Sequence, residues 1–584
     1  MRLAGLLQTR NPKLHISSLD DLILELEDSK RQFGGESGKR TEELLALVSR
    51  RIFSDADLLI RFHEALLFIR TFPQTASAFR LAEKLLSTFN RRVDALRESG
   101  VDVIAFDYIE YSGIAETTLS GTFSYDIVRW LVQNYPASVA IDWDRSERRE
   151  GLGHTLPRFL PLLYEDSLVE ANIPYLDWLR AATGTDARDL GWLVERFERT
   201  KLSNRERAEI FYLLDLRIRW DLASSRASRT RNLLRPSKVF CHRSPLIKRN
   251  QISLDAEFTS APIEVEKLSR VEGRAMQDML RATTTVRYRE LYGITHGDPS
   301  TVVRADVGRG VQIFLWGLPP ERRLPLRAYH AGFTLKNGVP INYIEGITTC
   351  ERMEIGFNTF YTFRDGESAW VYAKVLRLLN QLVGVTCISI DPYQLGFHNE
   401  EAIESGAFWF YRKLGFRPTR PELAKLVMVE EKKIASDPKY RTPARVLRRL
   451  SEGNAIYEAP GTGHGDWDRF AIRNVGLAVQ RRMRQEFNGD AERMREVSAK
   501  QIARGLAFKP GSTRLERRAF EDLALVLALI PDFPRWTKSE KSQVTRIIRA
   551  KTGEDESRFA RLLQSHGKLR RAIITLGEPA RDVT

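Results

Sequence analysis

Tyr411 sits in the stretch SGAFWFYRKLGFRPT (Ser405–Thr419), where Phe408, Trp409, Phe410 and Tyr411 run together before Lys-Leu-Gly-Phe-Arg-Pro. A helical phenol either packs or moves a proton. Phe408 and Trp409 adjoin Tyr411 on successive positions, so the three cannot share one helix face, and both read as core or cleft wall. A second feature is FRDGES (Phe363–Ser368), set between a strand and a helix. Such a loop aims backbone N–H groups at the helix N-terminus and makes an anion site, although similar turns often hold no ligand.

These residues need elements to hold them. Lys336-Asn337-Gly338 marks a hairpin between RAYHAGFTLK and VPINYIEGITT, because Asn-Gly favours the tight turns that suit strand twist. RMEIGFNTFYTF (Arg352–Phe363) reads as the next strand. SAWVYAKVLRLLNQLVG (Ser368–Gly384) reads as a helix stopped by glycine, and VTCISID (Val385–Asp391) as a buried strand. Asn399 suits a helix N-cap with Glu400 and Glu401 in the first turn, and that helix is expected to run to about Leu414. A hairpin followed by a βαβ unit predicts a mixed α/β sheet.

Strand, loop, helix, strand, then a helix ending A-x-x-F-Y-x-K-L-G-F-x-P resembles the GNAT superfamily of acyl-CoA-dependent N-acyltransferases. The resemblance covers residues 253–419 and is sharpest over the last seventy. Ala407, Phe410, Tyr411, Lys413, Leu414, Gly415, Phe416 and Pro418 carry it. It implies a GNAT-like fold and transfer of an acyl (acetyl) group from acetyl-CoA or another acyl-CoA to an amine. It also implies that Tyr411 protonates the departing thiolate. Arg364, Gly366, Ser368 and Ala369 would receive the pyrophosphate. Phe363 ends the stretch offering backbone to the pantetheine arm, and Asn399 is a further candidate contact. Aminolysis needs a base, since an ammonium cannot attack a thioester. Strand carboxylates are the candidates: Glu354 first, Glu345 second, then Glu351, which lies opposite Glu354 on an unbroken strand. His330 is another. The loop departs from the family's usual pattern, with Glu367 where a glycine is common. Asp365 and Glu367 must therefore point away from a bound pyrophosphate.

The flanking regions read as all-helical, which divides the chain into a helical domain (1–235), a basic linker (236–252), the GNAT-like domain (253–419) and a basic helical domain (420–584). SDADLLIRFHEALLFIRTF and SNRERAEIFYLLDLRIRWDLAS show helical periodicity. Net charge is +15, and residues 421–584 carry 33 Lys+Arg against 22 Asp+Glu. That region is expected to be a solvated face or to meet nucleic acid or an acidic partner, although it holds no nucleic-acid motif. A degenerate GNAT-like scaffold or nucleic-acid-associated binding protein is the alternative to the enzyme. The three cysteines form no CxxC pair, so neither zinc nor a disulfide frame is expected. The cysteine usage, the short N-terminal apolar run and the lack of a spanning segment fit a cytoplasmic protein.

Overall fold

The computed structural model describes residues 18–34, 36–146, 150–509, 511 and 513–579. Its centre is a nine-stranded mixed sheet. A smaller antiparallel sheet comes first in the chain, from β1 (Thr118–Gly121), β2 (Val139–Ile141) and β3 (Ile218–Asp221), with β3 in the middle. The large sheet holds β4 (Glu266–Lys267), β5 (Val303–Asp306), β6 (Val311–Gly317), β7 (Ala328–Lys336), β8 (Val339–Thr349), β9 (Arg352–Thr359), β10 (Cys387–Ile390), β11 (Arg417–Pro418) and β12 (Ala455–Glu458). Its order is β11-β12-β10-β9-β8-β7-β6-β5-β4, and only β9 and β10 run parallel.

The β7–β8 hairpin turns at Asn337 and Gly338, with φ of 47° and 79°. These left-handed values are those of the turn that Asn-Gly favours. Gly338 is also required sterically, because an added Cβ would overlap the Leu234 carbonyl. The helix Ser368–Val383 crosses from β9 to β10 and stops at Gly384, φ 84°. β9 and β10 pair only at Arg352–Glu354, opposite Cys387–Ser389. Pro392 then lacks the N–H a strand needs, and Asp391 caps the short helix Pro392–Leu395 that leads the chain away. β9 continues to Thr359 paired with β8 but not with β10, so the parallel pair opens like a wedge.

Three expectations are corrected. The flanking regions are not all-helical. IRWD in the second N-terminal stretch is β3, because its alternating burial, with Ile218 and Trp220 inward, suits a strand. Past residue 420 the chain returns to the sheet, where β12 lies between β10 and β11. The helix from Asn399 is broken in two, Glu400–Glu404 and Ala407–Arg412, by Gly406 at φ 66°. The stretch read as a linker is packed: Asn337 bonds both the N–H and the C=O of Phe240, at 2.8 and 3.0 Å.

One apolar core joins the helices from Leu19 to Glu98, the large sheet and the C-terminal helices. A second core gathers around β1–β3 and the helices between them. Among the described residues no helix is long and apolar enough to cross a membrane.

Candidate functional site

The opening between β9 and β10 is a cleft of about 450 Å³. Its walls come from Gly356–Thr359 of β9, from Tyr343 and Glu345 of β8, from the turn after β10 at Tyr393 and Gln394, and from the broken helix at Ala407, Phe410 and Tyr411. Successive peptide groups of a strand point to opposite sides. Phe360 donates to Ile341 on the β8 side at 3.0 Å, whereas Gln394 Nε2 donates to the Ile355 carbonyl at 3.0 Å on the other. The alternation turns the N–H and C=O of Phe357 into the opening. They are a strand edge that no strand among the described residues pairs with.

Tyr411 lines this cleft yet is only 5% exposed. Its ring lies 5.8 Å from Tyr372 and 5.5 Å from Phe416, edge-on to both. Among the described residues no group hydrogen-bonds its hydroxyl. Burial pushes the phenol above its ordinary pKa, so it holds its proton. Glu345 faces the same cleft and accepts from the Tyr329 hydroxyl. Burial raises its carboxyl, while the Tyr329 hydroxyl and the Gly293 N–H oppose the rise. A carboxylate shifted that way is a better proton acceptor near neutrality.

Glu354 is elsewhere. It lies at the paired end of β9 opposite Ser389, and Arg327 (3.1 Å) and Arg352 (2.7 Å) hold its carboxylate. Glu351 is buried and accepts from Trp467 at 2.8 Å and from Arg570 at 2.7 Å. His330 is buried against Ser557 Oγ at 3.0 Å, and burial lowers its pKa.

On the loop, Arg364 and Ser368 line the cleft. Arg364 reaches the Thr359 carbonyl at 3.4 Å and pairs with Glu401. Gly366 packs on the N-terminal helices, where an added Cβ would overlap the Phe72 ring. Phe363 and Ala369 are buried and do not line the cleft. Asn399 does line it, but its side chain already caps Ala402 N–H at 3.2 Å and donates to the Tyr393 carbonyl at 3.1 Å. Both loop carboxylates are engaged outside the cleft, Asp365 with Arg31 at 2.9 Å and Glu367, fully buried, with Arg309. The helix Ser368–Val383 carries no side-chain cap, which leaves its first N–H groups for other acceptors.

Sequence reasoning missed Arg289, which lines the cleft and donates to the Tyr343 hydroxyl at 3.2 Å. It arrives from a distant segment after Tyr288, whose φ of 51° turns the chain. No local signal marks it.

Beneath the loop lies a buried polar cluster. Glu64 accepts from Arg229 Nη2 at 2.9 Å and from Thr362 Oγ1, two residues before Arg364. His63 contacts Glu64 at 3.1 Å and Thr230 Oγ1 at 2.9 Å. Thr230 Oγ1 also accepts from Ala115 N–H, so its own proton is free for His63 Nε2, and Nδ1–H then donates to Glu64. The imidazole is neutral. Burial lowers its pKa from 6.5 to about 4, against the opposing pull of Glu64. Between these values the unfolded chain binds the proton and the folded one does not. Stability from this site is therefore complete above pH 6.5 and lost as pH falls toward 4, by about 3 kcal/mol in all. Thermal midpoints taken from pH 7 to 4 should fall less steeply in His63→Gln than in wild type. Parallel curves would show that another group carries the transition.

No family model matches the chain, and searches of curated proteins and of solved structures return no match.

Proposed function

We propose that the chain is an N-acyltransferase of the GNAT type, which moves an acyl group from acyl-CoA to an amine. The observation that carries the reading is the wedge between β9 and β10, with a free strand edge on one wall and the buried, unpaired Tyr411 hydroxyl on the other. The pantetheine arm would add to the Phe357 edge as a short strand, and its pyrophosphate would meet Arg364 and the uncapped helix at Ser368. Glu345, directly or through water, would take a proton from the acceptor ammonium. The freed amine attacks the thioester carbonyl, the tetrahedral adduct collapses with cleavage of the C–S bond, and the sulfur leaves with the Tyr411 proton, while the proton shed by the adduct nitrogen restores the phenol through water. The positions of Asp365 and Glu367 remove the charge conflict that the loop sequence raised. The open cleft weighs against the scaffold alternative, which calls for a filled one.

Thermal stability with and without excess acetyl-CoA tests the reading. At ~100 times the dissociation constant the gain is roughly 2.7 kcal/mol. The shift should be present in wild type and smaller in Arg364→Ala. No shift with acetyl-CoA, longer acyl-CoAs or free CoA would sink it.

A further inference from the structure

A second cavity, of about 590 Å³, lies where the N-terminal helices Ala56–Thr71 and Ala76–Ser87 meet the chain at 224–235. It shares no lining residue with the cleft. Four arginines line it, Arg70, Arg226, Arg231 and Arg235, against the single carboxylate of Glu83. Arg70 is at the floor. It is only 2% exposed, and Nη1 donates to the Thr230 carbonyl at 2.9 Å and to Glu83 at 3.2 Å, two groups that themselves line the cavity. Its Nε and Nη2 have no partner among the described residues. Both donors are closed to solvent, so Arg70 acts on the cavity through its charge, which a guanidinium keeps even when buried. At the wall, Arg231 is fixed by the carbonyls of Ser224 (2.8 Å) and Ser87 (3.2 Å). At the mouth, Arg226 and Arg235 are exposed and make no hydrogen bond or ion pair with any described residue.

We propose that this cavity binds a phosphorylated small molecule. Guanidinium forks match the tetrahedral, multiply charged oxygens of phosphate better than those of a lone carboxylate. The volume suits a nucleotide-sized ligand rather than a bare ion. A nucleic-acid backbone does not fit as well, since these arginines converge on one cavity rather than along an extended track.

Isothermal titration of the full chain with inorganic phosphate, pyrophosphate and ATP tests the assignment. The readable variant is Arg226→Ser/Arg235→Ser, because both side chains are exposed and unpaired and their loss leaves the fold alone. Pyrophosphate or ATP should bind wild type, and the double variant should weaken that binding tenfold or more. The acetyl-CoA thermal shift should stay unchanged in the same variant, which separates this site from the cleft whether or not the cleft binds the coenzyme. No binding of any of the three anions overturns the proposal, as does binding that the double variant leaves intact. Tighter binding of a short RNA than of ATP, lost in the same variant, also overturns it in favour of a nucleic-acid surface.

Discussion

Tyr411→Phe is expected to slow release of free CoA thiol from acetyl-CoA by about 10²-fold or more while leaving the acetyl-CoA thermal shift unchanged. The substitution removes one oxygen that no described residue hydrogen-bonds, so the fold should not notice it. The ring's neighbours, Tyr372, Phe410 and Phe416, are aromatic and keep their contacts. On the acyl-transfer reading the loss is confined to the moment when sulfur must leave as a neutral thiol. A thiol-trapping assay over a panel of polyamines and lysine peptides reads it directly. Equal rates for variant and wild type with the best acceptor would remove Tyr411 from the chemistry, and unequal binding would mean that the hydroxyl helps to hold the coenzyme rather than only to protonate sulfur.

The second large effect is on stability. Arg229→Met should cost roughly 3–5 kcal/mol, because it leaves the Glu64 carboxylate buried without its counter-charge. Arg229 also donates to the Glu110 carbonyl at 2.7 Å and to Thr362 at 3.1 Å, so its loss loosens the loop beside the cleft. The companion variant Arg229→Met/Glu64→Gln removes both charges and should recover part of the loss, since a buried pair replaced whole costs far less than one broken. Denaturant unfolding of the two variants checks this. A cost below about 1 kcal/mol for Arg229→Met would mean that Glu64 does not depend on Arg229 for its counter-charge.

The parts legible in the sequence were those fixed by local chemistry. Asn337-Gly338 marked its hairpin because few residues tolerate positive φ. Gly384 marked a helix end for the same reason, and Asn399 a helix start because its side chain caps the Ala402 N–H. Tyr411, Glu345, Arg364, Ser368 and Asn399 do meet in one cleft. What stayed hidden was set by distant partners. The sequence ranks Glu354 ahead of Glu345, and the short length of β10 reverses that order by leaving Glu354 at the paired end and Glu345 beside the opening. Gly366 suggested a phosphate cradle, yet its missing side chain makes room for Phe72 from the N-terminal region. AIYE carries no sign that it will lie between β10 and β11. Arg70 was one basic residue on an apolar helix until the fold set three more arginines around it.

The placement of β12 sets a timetable for synthesis. Ile390 and its partner Ala455 are made far apart in time, because the whole of β11 and five helices are translated between them. At about 5–20 residues per second, the outer edge of β10 waits several seconds for its neighbour. β11 is made earlier but cannot dock alone, since its partner in the sheet is β12. A nascent chain thus shows the ribosome's surroundings an unpaired, apolar strand edge, and a product cut short near residue 420 would keep that edge for good, as a template for aggregation.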